Sequence, residues 1–220
     1  MMISVKFGSI ALIVASMVSG TSASGQAPPT LKEGLSRLGI SLNPTSLYAA
    51  LRDPRPAARS GAAAELAEMK EPGAISQIES AMTREKNKEV LFAFAQSLNS
   101  LGDSAGTTWL ERYCSKTAEA IEDRIRAAID LQLSGNYTCL SAMTEFLKSK
   151  DPAIQQSVLL YMLHIPTLQA NSPPTLGPNL LNIVNGGATD YLRHLAGMVV
   201  MQIGDDTTRL SYKSQHPKQN

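Results

Sequence analysis

Apolar residues return along this chain at intervals of three or four, as on one buried face of an α-helix. One such group is Ala58, Ala62 and Leu66, and a second begins 32 residues later at Val90. A period of this length is typical of two-helix units that stack into a solenoid. The pattern returns once more at Leu192, so it spans most of the chain and predicts an all-α fold.

Helix-breaking residues divide the pattern into about five helix pairs. Asn43 can cap the first helix of the first pair, and the run Asp53-Pro54-Arg55-Pro56 separates it from the second, because residues before proline disfavour helical angles. A short helix near Leu31 is placed to cap the stack. We therefore predict a right-handed α-α superhelix, a solenoid of stacked helix pairs in one domain over residues 31–208.

Three features depart from the regular repeat. The third pair is out of phase, because strict addition of 32 to Val90 reaches Glu122 rather than an apolar residue. Residues 166–178 are rich in proline and read as a loop, and residues 209–220 are polar and read as a disordered tail. The aromatic and methionine residues on the last helices, Tyr191, Met198 and Met201 among them, are expected to fill the core.

The N-terminus predicts export. Residues 1–23 combine Lys6, an apolar run and small residues before a cleavage point, which is the composition of a signal peptide, and residues 24–30 read as a flexible leader. Without Lys6 the chain has 19 basic and 19 acidic residues. This balance argues against a nucleic-acid partner, and no apolar run in the mature chain is long enough to span a membrane. We expect a periplasmic or secreted protein.

The chemistry-bearing residues do not form a recognisable catalytic set. None of the three histidines, His164, His194 and His216, is followed by glutamate, and their spacing suits no metal site. No Gly-x-Ser-x-Gly turn or phosphate-binding glycine loop is present. The sequence therefore predicts no enzyme activity, no metal and no cofactor.

The two cysteines leave one structural question open. An even number of cysteines in an exported chain favours a disulfide. Aligning the third and fourth pairs, however, places Cys114 level with Leu147, eight residues beyond Cys139. That offset corresponds to ~12 Å along a helix, beyond the ~7 Å Cα limit for a bridge, so the register argues against a bond.

The chain resembles HEAT-like repeats, including the short bacterial type first noticed in phycobilisome lyases, from about Asn43 to Asp206. The resemblance rests on an Asp-Pro turn, a second helix with arginine, alanine and leucine positions, and a Gly-Asp end. It is carried by two segments, LYAALRDPRPAARSGAAAELAEM from Leu47 to Met69 and LRHLAGMVVMQIGDD from Leu192 to Asp206.

In such repeats an aspartate near the turn commonly bonds to an early arginine of the second helix and forms a polar ladder. The resemblance implies this structural role for Asp53 and Arg59. Leu91 and Gln155 interrupt the ladder in the second and fourth pairs, and Arg193 restores it in the fifth.

Stacked repeats expose an extended concave surface, and with no catalytic set present this surface favours a non-enzymatic scaffold or interaction module that binds a protein or peptide. The alternative is a bilin-lyase-like or other HEAT-like enzyme or chromophore-handling protein, because that class shares the repeat. Candidate partner contacts are the charged residues of the second helices and one residue of the predicted loop. They are Lys88, Arg124, Arg126, Arg193 and Asn171.

Overall fold

The computed structural model describes residues 29–115, 119–163 and 173–216. The described residues from Leu31 onward form one compact unit. The signal peptide predicted over residues 1–23, most of the leader, Asn171 and the last four residues lie outside the described ranges. The all-α class is confirmed, because the described residues form twelve helices and no strand.

The helices are one capping helix, five pairs and one final helix. The cap is α1 (Leu31–Arg37) and the final helix is α12 (Asp206–Gln215). The pairs are α2 (Pro44–Ala50) with α3 (Pro56–Glu68), α4 (Ala74–Met82) with α5 (Lys88–Ser100), α6 (Ser104–Ser115) with α7 (Ile121–Leu133), α8 (Leu140–Phe146) with α9 (Pro152–Leu163), and α10 (Leu176–Gly186) with α11 (Asp190–Ile203).

Local sequence explains where these helices begin and end. The Asn43 side chain accepts a hydrogen bond from the Ser46 amide, and Asn87 caps α5 in the same way. Prolines occupy the first turn of α2, α3 and α9, where a missing amide costs nothing. Gly102 follows α5 with a φ of 78°, a left-handed angle that favours glycine.

The second helices of the five pairs bury the same face. Counted from the first residue of each helix, the seventh, eighth and eleventh positions point into the core. They are Ala62, Ala63 and Leu66; Phe94, Ala95 and Leu98; Ala127, Ala128 and Leu131; Val158, Leu159 and Met162; and Ala196, Gly197 and Val200. The repeat inferred from the sequence therefore places the core correctly.

The phase slip of the third pair is local. Helix α7 begins 33 residues after α5, and α9 begins 31 residues after α7, so the two irregularities cancel. The third position of α7 is Asp123, where α3, α5 and α11 carry the buried residues Ala58, Val90 and Leu192. Asp123 forms an ion pair with Lys88 at 2.6 Å, which explains why no apolar residue is required there.

The predicted disordered tail is wrong over residues 209–215, because α12 is a helix that packs on the last pair. Asp205 caps it by accepting a hydrogen bond from the Thr208 amide at 2.7 Å. Tyr212 is buried against Gly197, where an added Cβ would come within 2.6 Å of its hydroxyl oxygen. A glycine on α11 thus makes room for a helix whose own sequence is mostly polar.

The predicted loop over residues 166–178 is also shorter at its C-terminal end than expected. Helix α10 already begins at Leu176 and includes Gly177 and Pro178. Leu176 is 1% exposed and joins the core, so the apolar periodicity of this helix begins earlier than the prolines suggest. Residues 166–172 lie outside the described ranges.

The prediction that Cys114 and Cys139 are unbridged is wrong. They form a disulfide with their Cα atoms 6.3 Å apart. The register assumed from the repeat fails because the start of α8 lies beside the last turn of α6. Glu111 holds it there by accepting hydrogen bonds from Asn136 and Thr138, each at 3.0 Å. Cys114 is therefore level with Cys139 and not with Leu147.

Candidate interaction surfaces

The fourth position of the second helices carries a hydrogen-bond donor in four of the five pairs. Its side chain reaches back to backbone carbonyls at the end of the preceding helix or in the loop after it. The bonds are Arg59 to Asp53 (2.8 Å) and Pro54 (3.1 Å), Arg124 to Cys114 (3.0 Å), Gln155 to Leu147 (3.0 Å) and Ser149 (2.9 Å), and Arg193 to Gly187 (2.6 Å). Carbonyls at helix ends lack intrahelical partners, so in these four pairs the donor links the second helix to the end of the first or to the loop between them.

The polar ladder expected between the side chains of Asp53 and Arg59 is not formed. The Asp53 carboxylate pairs instead with Arg55, at 2.7 and 2.8 Å. Hydrogen bonds from the side chain and the amide of Arg55 lower the pKa of Asp53 to about 2. Arg59 retains a structural role, but it contacts Asp53 only at the backbone oxygen. Nor does Gln155 interrupt the series, because its amide serves the same carbonyls.

Arg59 also joins the first pair to the second through Glu85. Its Nε and Nη2 atoms donate to the two oxygens of Glu85 at 2.6 and 3.1 Å. One of these oxygens also accepts from the amides of Lys86 and Asn87. Burial would raise the pKa of Glu85, but the bonds from Arg59 and these amides lower it below its ordinary value. Glu85 is therefore held as a carboxylate that is fully occupied within the chain.

The other charged residues predicted as partner contacts are also engaged within the chain. Lys88 pairs with Asp123 at 2.6 Å. Arg126 pairs with Glu89 at 2.5 Å and lies 4.5 Å from the centre of the Phe92 ring.

Arg124 and Arg193 are likewise occupied. Arg124 lies 5.0 Å from the centre of the Phe146 ring in addition to its carbonyl bond. Arg193 pairs with Asp190. The structure therefore gives all four of these basic residues intramolecular partners, and Asn171 lies outside the described residues.

A different set of basic residues lines a cleft between the loops of the first and second pairs. We call this site the first loop cleft; its volume is about 370 Å³. The side chains of Arg52, Arg84 and Lys86 line it, and none of them makes a hydrogen bond or ion pair with a described residue. Its two acidic residues, Asp53 and Glu85, are each paired with an arginine. The cleft therefore carries unbalanced positive charge.

Sequence reasoning missed this set, although a signal was present. Arg52 precedes Asp53 in the first pair, and 32 residues later Arg84 precedes Glu85. Because the two arginine–acidic residue pairs are one repeat apart, both arginines are expected at the same edge of the stack. These residues lie in the loops and not on the second helices, where the charged partner contacts were predicted.

A second cleft lies at the equivalent edge between the fourth and fifth pairs, with a volume of about 440 Å³. Lys148 and Lys150 line it, but Lys148 is paired with Glu145 at 2.8 Å. Gln155 and Asn179 supply amide groups, and Asn179 donates to the Thr144 carbonyl. This second cleft therefore has less unpaired positive charge than the first loop cleft.

Exposed apolar side chains collect on α11, contrary to the expectation that they fill the core. Tyr191 is 53% exposed, Met198 46% and Met201 38%. Successive members of this set, with His194 between the first two, are three or four residues apart and so lie on one face of the helix. We call these four residues the terminal stripe.

Within the described ranges, no group of three or more histidine, cysteine or acidic residues is arranged to hold a metal ion. No described helix combines the length and apolar character needed to cross a membrane.

A family model of HEAT repeats matches residues 44–122, which cover α2 to α6 and the start of α7. The matched segment contains the whole first loop cleft. No curated protein matches the chain. The family match agrees with the paired helices and the shared buried positions described above.

Proposed function

This chain is a HEAT-repeat protein, and from that premise we propose that it is an exported, non-enzymatic interaction module that binds an acidic segment of a protein partner. The binding site is the first loop cleft. Repeat solenoids act mainly as extended binding surfaces, and their specificity lies in the side chains that each protein displays on them.

The observation that supports this function most directly is the charge of the cleft. The side chains of Arg52, Arg84 and Lys86 have no partner among the described residues, while Asp53 and Glu85 are each paired with another arginine. The mature chain is close to neutral overall, so this surplus is local. A concave site with a net positive charge attracts a negatively charged ligand.

The geometry of the cleft suits carboxylates. Arg52 and Arg84 project from loops of neighbouring pairs, and arginine binds carboxylates through two parallel hydrogen bonds. Arg59 of α3 bonds to the Asp53 and Pro54 carbonyls in one loop and to Glu85 in the other, so the cleft is formed before the partner arrives and little ordering is required on binding. We expect an aspartate- or glutamate-rich segment of the partner to lie between the two loops.

Two observations support export. Residues 1–23 have the composition of a signal peptide. The Cys114–Cys139 disulfide suits an oxidising compartment, since structural disulfides persist mainly in exported proteins. The periplasm and the extracellular medium both meet this requirement.

The experiment compares two triple charge reversals in an affinity capture. The immobilised mature chain is incubated with the envelope fraction and the culture medium of the organism that encodes it, and retained proteins are quantified. The test variant carries Arg52→Glu, Arg84→Glu and Lys86→Glu. The control carries Arg37→Glu, Lys70→Glu and Lys213→Glu, which change the net charge equally at exposed positions outside the cleft.

We expect a partner that the wild-type chain and the control retain and the cleft variant loses by at least tenfold. Retention should also fall as salt concentration rises, because exposed charges are screened. Equal retention by the cleft variant and the control would contradict the proposal, as would the absence of any protein retained specifically by the wild-type chain.

A further inference from the structure

Inside the solenoid, helix α5 presents a set of regularly spaced positions to the next second helix, α7. On α5 these are the second, fifth, ninth and twelfth positions, and all four contact α7. The contacts are Glu89 with Arg126 (2.5 Å), the Phe92 ring with the Arg126 guanidinium (4.5 Å), Gln96 with the Asp130 side chain (3.0 Å), and Asn99 with the Asp130 carbonyl (3.0 Å). Helices α9 and α11 meet in the same order, since Gln202 of α11 donates to the carbonyl of Leu163, the twelfth residue of α9.

The terminal stripe occupies these four positions on α11. Tyr191, His194, Met198 and Met201 are its second, fifth, ninth and twelfth residues. On α5 this face is covered by the next second helix, α7, whereas α11 is the last second helix of the described residues. Helix α12 does not replace the missing neighbour, because it packs on another face of α11, through Tyr212 and Gly197.

The opposite end of the stack is closed. Helix α1 covers the outer face of α3, where Leu35 is 1% exposed and lies against Gly61. Lys32 of α1 pairs with Glu65 of α3 at 3.5 Å. The outward side of α1 is charged, with Lys32, Glu33 and Arg37 exposed. Head-to-tail stacking of two chains would therefore place the terminal stripe against charged groups that it cannot pair.

The terminal stripe is instead complementary to itself. Its four residues lie symmetrically about Ala196: Tyr191 and Met201 are five residues away on either side, and His194 and Met198 are two residues away. A two-fold axis that passes outside the stripe, level with Ala196 along the helix, would pack two α11 helices antiparallel. Each ring would then face a thioether, and sulfur–aromatic contacts of this kind are favourable. The stripe contains no acidic, lysine or arginine residue, so like charges do not oppose the pairing.

We propose that the terminal stripe is a self-association face, at which α11 of one chain packs antiparallel on α11 of a second copy. The contact uses on α11 the positions with which α5 contacts α7 within the chain, but the two helices run antiparallel instead of parallel. It does not involve the first loop cleft, so it stands apart from the proposed function. One helix of 14 residues is only ~21 Å long, and a stable dimer buries ~800 Å² on each partner, so the association is weak and depends on concentration.

The first test measures molecular mass over a range of chain concentrations. Sedimentation equilibrium of the oxidised mature chain is recorded from about 1 to 500 μM, the range in which a contact smaller than the standard interface assembles. The test variant carries Met198→Glu and Met201→Glu. The control carries Leu42→Glu and Met69→Glu, which are exposed to a similar extent, 40% and 41%, but lie outside the stripe. Circular dichroism verifies that all three chains are folded.

We expect the wild-type chain and the control to approach twice the monomer mass with rising concentration, while the stripe variant remains a monomer. A wild-type chain that is monomeric throughout the range would overturn the proposal. So would a stripe variant that dimerises as readily as the control.

The second test examines the antiparallel arrangement by cross-linking. The native cysteines are joined to each other, so an introduced cysteine is the only free thiol of its chain. A chain with His194→Cys mixed with a chain with Met198→Cys should form a mixed disulfide dimer under mild oxidation. A chain with Tyr191→Cys should not cross-link to itself, because the two copies of this residue lie at opposite ends of the pair. Self-cross-linking at residue 191 without the mixed dimer would refute the two-fold packing.

Discussion

At the scale of single residues, Asp130 is a carboxyl group that α7 carries into the interior. Only 6% of the residue is exposed. One carboxyl oxygen accepts from Gln96 at 3.0 Å, and the other has no donor among the described residues. Burial raises the pKa of Asp130 to about 7, against a smaller lowering by Arg126. Tyr161 lies close enough that its pKa is also raised, first by its own burial and then by the charge of Asp130.

This environment predicts that Asp130→Asn stabilises the protein at alkaline pH. The folded-state pKa lies above the ordinary value, so the folded chain holds the proton more tightly and wild-type stability falls as the pH rises from about 4 to about 7. Asparagine is neutral throughout this range. Since each pKa unit corresponds to ~1.4 kcal/mol, the variant should be more stable by roughly 2–4 kcal/mol at pH 8 and similar to wild type near pH 4.

Urea unfolding at the two pH values measures this difference. Glu122→Gln is the matched control, because Glu122 is an exposed carboxylate on the same helix. It lies in the first turn of α7, where a negative charge is favourable, so its loss should lower stability slightly at pH 8. If the stability difference between Asp130→Asn and wild type did not change with pH, the pKa of Asp130 would not be raised by folding.

At the scale of helices, the fourth-position donors close each pair by bonding to the carbonyls that end its first helix or follow it. Arg59, Arg124, Gln155 and Arg193 do this with different groups. In the second pair the position is Leu91, and there Glu85 organises the loop by accepting from the amides of Lys86 and Asn87. The link between the two helices of a pair therefore requires a hydrogen-bond donor at the right position, and both arginine and glutamine can supply it.

Gln155→Leu should therefore destabilise the fourth pair, because it leaves the carbonyls of Leu147 and Ser149 without their side-chain donor. Two lost hydrogen bonds correspond to roughly 1–2 kcal/mol of unfolding free energy. Chemical denaturation measures the loss, and hydrogen exchange should increase in α8. The control is Gln77→Leu, an exposed glutamine on α4, which should change stability by less than ~0.5 kcal/mol. Equal effects of the two substitutions would contradict the closing role.

At the scale of the whole molecule, the stack has two hydrophobic clusters that meet at α5. Phe94 belongs to the N-terminal cluster and Phe92 to the larger C-terminal one. The disulfide lies in the larger cluster and joins α6 of the third pair to the residue before α8 of the fourth. It therefore constrains the order of stacking between the third and fourth pairs, where the sequence repeat is least regular.

Reduction of the disulfide should lower the free energy of unfolding by about 3 kcal/mol, because the bond closes a loop across a sequence separation of 25 residues in the unfolded chain. Thermal and urea unfolding with and without reductant measure this change. The double variant Cys114→Ala and Cys139→Ala should match the reduced wild type and show no response to reductant. Free thiols in the oxidised, folded chain would refute the bond itself.

The sequence alone determined the repeating part of this protein. The period, the five pairs and the buried seventh, eighth and eleventh positions follow from local spacing, because a helix of fixed pitch places such residues on one face. Asn43 and Pro56 likewise mark helix starts through bonds and angles within one turn. These features need no knowledge of which helices become neighbours.

Only the tertiary structure decided how neighbouring helices meet. The offset of α8 against α6 places Cys114 beside Cys139. The stacking of the first two pairs places Arg59 beside Glu85, so that it forms an ion pair with Glu85 and not with the Asp53 side chain. Packing also buried Asp130 and left Met198 exposed. Apolar spacing shows which face of a helix is apolar, but the axial offset of two helices and the presence of a next neighbour depend on contacts between distant segments.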